Sequence, residues 1–174
     1  MNYKTTLLTL IIAAFLVLPS NLRAQAKYVG TKSCSMCHKT EKQGQQFKIW
    51  QDSKHSQAYK ALLTAKADEI SAKKGGKKAA ENPECLKCHV GDASLIASAF
   101  KEDGVQCETC HGAGSEYKAM SVMKNKAESI KKGMTEFKDV EKFCTTCHNS
   151  NSPTFKEFKF SEMLKKIAHP TPKG

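Results

Sequence analysis

The amino-acid sequence predicts a mainly α fold with much irregular structure, compacted around something other than an aliphatic core. Three observations carry this. Helix-favouring stretches are short and are interrupted at Gly44, Gly75-Gly76, Asn82-Pro83, Gly104, Gly112 and Gly133, residue types that bend or end helices. Leu, Ile and Val are sparse and lysine is abundant, so a chain of this size buries a poor core unaided. The third observation is a repeated motif: Cys-x-x-Cys-His occurs four times and uses all eight cysteines.

The copies are Cys34-Ser-Met-Cys37-His38, Cys85-Leu-Lys-Cys88-His89, Cys107-Glu-Thr-Cys110-His111 and Cys144-Thr-Thr-Cys147-His148. This spacing is the attachment signature of a c-type haem. Two thiols three positions apart form thioethers to the two vinyl groups of one porphyrin, and the adjacent imidazole reaches the iron as proximal ligand. The bland alternatives are a structural zinc, disulfides or a thiol redox pair. None of them requires histidine after the second cysteine in every copy. The chain therefore reads as a compact multihaem cytochrome c fold organised around four covalently attached haem c groups. The cysteines are the attachment points, and His38, His89, His111 and His148 are the proximal ligands. The porphyrins themselves are expected to form the core, so the apoprotein should be largely unfolded.

Taken in order, residues 1–26 read as a signal peptide. Lys4 precedes an apolar run of 12 residues, Leu7 to Leu18, broken only by Thr9, and Ala24-Gln25-Ala26 is an A-x-A cleavage site. The run is too short for a bilayer span, which needs about 20 residues; an uncleaved anchor is the alternative. Export to the periplasm or beyond suits the cysteines, because c-type haem is attached outside the bacterial cytoplasmic membrane. Residues 27–174 then form one tetrahaem domain, with no stable membrane insertion after cleavage. Without Lys4 and Arg23, 26 lysines face 17 acidic side chains, a formal charge of +9. Haem propionates would nearly cancel this. No arginine remains, which weighs against nucleic acid as a partner, where bidentate arginine contacts are the usual device. The lysines are a solvated surface or steer the protein towards an acidic redox partner.

Tyr28-Val29-Gly30 is expected to be extended, followed by a helix from about Glu41 to Lys66 interrupted at Gly44, with His55 inside it. The stretch 65–82 reads as a frayed helix and a flexible surface loop, ended by Asn82-Pro83. Asp92 to Phe100 suggests two helical turns and Asp103-Gly104 a turn. The histidines of the second and third motifs are only 22 positions apart, so their haems are expected to be neighbours. Gly112-Ala113-Gly114 lets backbone pass close to a haem face. Ser115 to Lys132 reads as helical up to Gly133. After a turn at Asn149 to Pro153, a helix from Ser161 to Ala168, N-capped by Ser161, precedes His169. The tail from Thr171 is expected to be disordered.

Only His55 and His169 lie outside the four motifs. A lone histidine is more often a surface or satisfied core residue, but in a chain built around irons both become candidate distal ligands. Met120 and Met123 are weaker candidates, since methionine can be a second axial ligand and more often fills gaps in a core.

With these residues in hand, the chain resembles the tetrahaem cytochrome c family that includes the electron acceptor of hydroxylamine oxidoreductase in ammonia-oxidising bacteria. The resemblance rests on Tyr28-Val29-Gly30 before the first motif and the Trp50 to His55 stretch after it. It also rests on Gly104-Val105-Gln106-Cys107 through His111-Gly112-Ala113-Gly114, and on Phe158-Lys159-Phe160 with Glu162-Met163 before His169. It implies a compact, mainly helical fold with haems in close pairs, mostly bis-histidine, with the haem of His89 lacking a distal protein ligand. By matched position, His55 and His169 look like distal ligands. The family's further distal histidine, soon after the third motif, has no counterpart in Gly112 to Lys132. Two haems must then use Met, another weak ligand, water or nothing, and the weakest case falls on those of His89 and His111.

Three functions compete. Four haems in one small domain without a substrate-pocket motif make an electron carrier between redox partner proteins, more readily than an enzyme. The alternative is a reductase of nitric oxide, nitrite or hydroxylamine at a haem lacking a distal protein ligand, where a small molecule could bind. The third is assembly of the cytochrome into an extracellular chain of haems.

Overall fold

The computed structural model describes residues 25–170; the expected signal peptide, apart from Gln25 and Ala26, and the tail from Thr171 lie outside the described residues. Among the described residues there is no strand. The helices are Thr31–His38, Gln46–Gln51, Ala58–Ala61, Ala65–Lys73, Pro83–His89, Ala93–Ile96, Cys107–His111, Met120–Met123, Lys126–Lys131, Val140–Thr145 and Phe160–Ile167. Single 3₁₀ turns lie at His55–Gln57, Ala79–Glu81, Lys101–Asp103 and Gly114–Glu116. The mainly α, irregular class expected from the sequence is what the chain adopts.

The elements are more broken than expected, and polar side chains account for the breaks. The expected break at Gly44 is present, the chain turning at Gly44 (φ +93°) and Gln45 (φ +53°) before Gln46–Gln51 forms, but this helix ends at Gln51 instead of running on to Lys66. That helix stops because serines bond its backbone: Ser53 Oγ donates to the Trp50 carbonyl, and Ser56 Oγ to the carbonyls of Gln51 and Ser53. His55 consequently sits in a 3₁₀ turn rather than in a helix. Likewise, Ser115 to Lys132 splits at Asn125, whose side chain caps Lys126–Lys131 by accepting from Glu128 N–H. Asp92 caps a single turn, Ala93–Ile96. The C-terminal helix begins at Phe160 with Lys159 at its N-cap position, so Ser161 lies inside the helix.

The expected flexible loop before the second motif is instead pinned. Ser71, fully buried, donates to the Lys77 carbonyl (2.7 Å) and accepts from Asn82 Nδ2 (2.9 Å), while Asp68 accepts from Ala79 N–H (2.8 Å). Asn82 also caps Pro83–His89, with Pro83 at the first helical position where its missing N–H costs nothing.

Aliphatic packing is confined to one place. Tyr59, Leu62, Ala79, Leu86, Val90 and Leu95 form the buried cluster, with Tyr28 and Phe100 against it. It wraps the helix of the second motif and leaves the other three without such a core.

Candidate haem sites

Each motif occupies one helical turn, which is the local geometry the chemistry needs. Residues three apart share a helix face, so Cys34 and Cys37, Cys85 and Cys88, and Cys107 and Cys110 each lie on one side of their helices. The fourth motif runs past the end of Val140–Thr145, but His148 N–H still bonds the Cys144 carbonyl (3.0 Å), so the turn continues through it. All eight cysteines are free thiols, and among the described residues no group of three or more His, Cys, Asp or Glu is arranged to hold a metal ion.

Thiol contacts join the motifs in two groups. Cys34 lies against Cys107: their hydrogen bond is the largest influence on both, pushing Cys34 below the usual thiol range and Cys107 well above it. Cys88 is pushed up to about 11 by burial and then by the neighbouring Cys147. The first motif thus packs with the third, and the second with the fourth. Cys110 also senses Cys144 and Cys147, after the burial that raises it to about 11, so the two groups adjoin. The short link between the second and third motifs does not make them thiol partners.

The two histidines outside the motifs complete this arrangement. The His55 ring lies 6.0 Å from that of His148, and the His169 ring 5.7 Å from that of His111, centroid to centroid. Two metal–imidazole bonds of about 2.0 Å each, plus the distance from each nitrogen to its ring centre, come to roughly the same separation. His55 and His111 are both half-buried. Burial, followed by His148, holds His55 below the usual imidazole range. Burial, followed by His169 and His38, takes His111 down to about 4. Burial likewise lowers His148 and, together with His38, His169. Neutral imidazoles with free lone pairs are what iron ligation requires, so these residues fit a haem.

This differs from the expectation that His89 and His111 are the poorly partnered pair. His169 lies against His111, with His38 close enough that its charge lowers both; among the described residues neither His38 nor His89 makes a ring contact with another histidine. These two also differ from each other. His89 Nδ1 donates to the Ala58 carbonyl (2.7 Å), which leaves Nε2 free for a metal. His38 Nδ1 is buried with no hydrogen-bond partner. The methionines lie in other surroundings: Met120 is 63 % exposed, and the Met123 sulfur accepts from Ser129 Oγ (4.0 Å).

Of the residues that hold the site, Phe158 is already among the motif flanks, whereas Glu108 and Phe137 are not singled out from the sequence. Glu108, between the cysteines of the third motif, is 2 % exposed. Its carboxylate accepts from the backbone N–H of Val29, Gly30 (2.8 Å) and Gly114 (2.7 Å), tying the extended entry segment and the glycine-rich exit to one motif. Phe158 stacks on His148 at 4.6 Å, and Phe137 meets His111 edge-on at 5.9 Å. No sequence signal marks Glu108, because an acidic residue inside a surface-prone motif reads as solvated.

Against known proteins, the family described as cytochrome c554 and c-prime matches residues 33–112, the segment holding the first three motifs. Cytochrome c-554 of Nitrosomonas europaea is 26 % identical over 196 aligned positions, covering 91 % of this chain and 81 % of that protein. No solved structure matches. The resemblance read from the motif flanks is therefore shown: the chain is similar to the c-type cytochromes of the cytochrome c554 and c-prime family.

Proposed function

We propose that this chain is an exported c-type cytochrome carrying four haems, which passes electrons between redox partner proteins. The observation that carries this is the placement of four Cys-x-x-Cys-His turns in two adjoining groups, each with one outside histidine facing a motif histidine at bis-imidazole separation. The haems supply one-electron centres. The chain's own residues set their ligation, their burial and, through the buried Glu108 carboxylate beside Cys107 and Cys110, their electrostatics. Adjacency of the groups gives electrons a short route through the domain.

Export rests on the signal-peptide pattern of residues 1–26. Lys27 N–H donates to Ser115 Oγ (2.9 Å), and Ser115 N–H to the Lys27 carbonyl (3.1 Å), so the expected mature chain is tied down at its first residue. Among the described residues no helix is long and apolar enough to cross a membrane.

The intact mass of the purified protein tests this reading: it should begin at Lys27 and carry four haems, and fewer haems refute it. Stopped-flow mixing should show reoxidation by a partner cytochrome. A second reading, reduction of nitric oxide, nitrite or hydroxylamine, is favoured by the histidine shortage that leaves two motif histidines unopposed. Turnover of one of these substrates faster than reoxidation by a partner would select it.

A further inference from the structure

We propose that Gln46 is a positioning residue shared by two haem sites: its amide nitrogen clamps the segment that carries the distal candidate His169, and its amide oxygen accepts Nδ1–H of His38 when that ring ligates through Nε2. The inference rests on the four-haem reading above and goes beyond it by naming a residue that lies outside the motifs and their flanks.

The clamp is visible in the contacts of the C-terminal segment. Gln46 Nε2 donates to the Pro170 carbonyl (2.8 Å) and to the Gln43 carbonyl. Pro170 also packs into the turn at Gly44 (φ +93°), where an added Cβ would lie 2.8 Å from Pro170 Cγ and 3.3 Å from its carbonyl oxygen. His169, the residue before, is thereby held with its ring 5.7 Å from that of His111. The Pro170 carbonyl reaches the imidazole as well: burial and then His38 lower His169, while hydrogen bonds to the backbone of His169 itself and of Pro170 oppose them. One carbonyl therefore links the Gln46 amide to the ligand ring.

The other end of the same amide points to His38. Both partners of Nε2 are carbonyls, which fixes the orientation of the amide and leaves Oε1 as its acceptor. Gln46 Oε1 is buried without a hydrogen-bond partner, and so is His38 Nδ1. Buried polar groups are paired almost without exception, and these two are complementary, because ligation through Nε2 leaves Nδ1 as an N–H donor. They stand on Thr31–His38 and Gln46–Gln51, helices that pack on each other, and both adjoin His169, one through its charge and the other through Pro170. In the second motif the Ala58 carbonyl fills this role, accepting from His89 Nδ1 at 2.7 Å. Such a partner makes the imidazole a more basic ligand and holds its ring in one orientation, which favours ferric iron.

Two substitutions in the holoprotein, made after the wild-type mass has established four haems, form the test. Gln46→Leu removes both contacts, whereas Gln46→Glu keeps an acceptor and loses the donor. In ferric electron paramagnetic resonance the signal of the haem of His111 should shift in both variants, while that of His148 stays as in wild type. In redox potentiometry one of the four potentials should rise in Gln46→Leu, by about tenfold in the ferrous-to-ferric ratio at fixed potential, or 59 mV for one electron, and the same one should fall in Gln46→Glu. A structural role alone would not reverse the sign, and added charge alone would leave Gln46→Leu at the wild-type potential. Should Gln46→Leu not accumulate, Gln46→Asn, neutral and one methylene shorter, takes its place with the same rise expected. An unchanged signal for the haem of His111 overturns the clamp, and the absence of any rise in the neutral variant overturns the His38 contact. Fewer than four haems in the wild-type mass would instead refute the underlying reading, a distinguishable failure.

Discussion

Gly104 ties two haem sites to one turn, and replacing it with alanine should disturb both at once. Its backbone adopts φ +74° and ψ −142°, a region essentially confined to glycine and costing about 1–3 kcal/mol for other residues. An added Cβ would lie 2.7 Å from the His55 carbonyl oxygen, 3.2 Å from Tyr59 N and 3.3 Å from Ala58 N. These are backbone atoms with no flexible end to swing away. The His55 carbonyl also accepts from Val105 N–H (3.1 Å), and Val105 is held in turn by Trp50 Nε1 (2.8 Å); losing that carbonyl bond costs about 0.5–1.5 kcal/mol. Gly104→Ala should therefore destabilise the holoprotein by about 2–4 kcal/mol, lowering its thermal midpoint by roughly 5–15 °C. The same turn carries the His55 ring opposite His148 and the Ala58 carbonyl bonded to His89. Ferric electron paramagnetic resonance should then show the signals of two haems changing together, those of His148 and His89, while those of His38 and His111 persist. A midpoint within about 2 °C of wild type, roughly 1 kcal/mol, together with unchanged spectra would refute the reasoning.

Glu108→Gln keeps the shape of a side chain that is 2 % exposed but removes the charge that its backbone N–H donors assist; about 2–4 kcal/mol of stability should be lost, read from the guanidinium midpoint. His169→Gly should convert the haem of His111 from low to high spin in the ferric spectrum and leave that of His148 unchanged, since His148 is faced by His55. Tyr28 and Tyr117 are both held above the ordinary phenol range by burial first, with the Tyr28 bond to Asp92 next for that residue. A raised folded value means their contribution is complete below about pH 10, the ordinary tyrosine value, and falls as the pH rises beyond it. Unfolding midpoints measured through that range should decline more steeply than those of Tyr28→Phe.

The helix signals with local causes were legible before any coordinates. Asn82-Pro83 does mark the entry to the second motif, a helical turn does follow Asp92, and Gly133 does end its segment, because each acts on backbone within a few residues of itself. The helices expected over 41–66, with a break only at Gly44, and over 115–132 failed for a related reason. Ser53, Ser56 and Asn125 offered the backbone side-chain partners that compete with helical bonds, and an apolar periodicity does not register that competition.

The spacing of the four Cys-x-x-Cys-His motifs, the supply of just two further histidines and the resemblance to the cytochrome c554 family all come from the sequence alone. They do so because thioether attachment and proximal ligation are demands on residues four or fewer positions apart. Which outside histidine lies against which motif, and that Glu108 is buried under three backbone donors, belong to the tertiary structure. Those outcomes depend on segments distant in the chain being packed together, and the fold chooses among pairings that the histidine count leaves equally open.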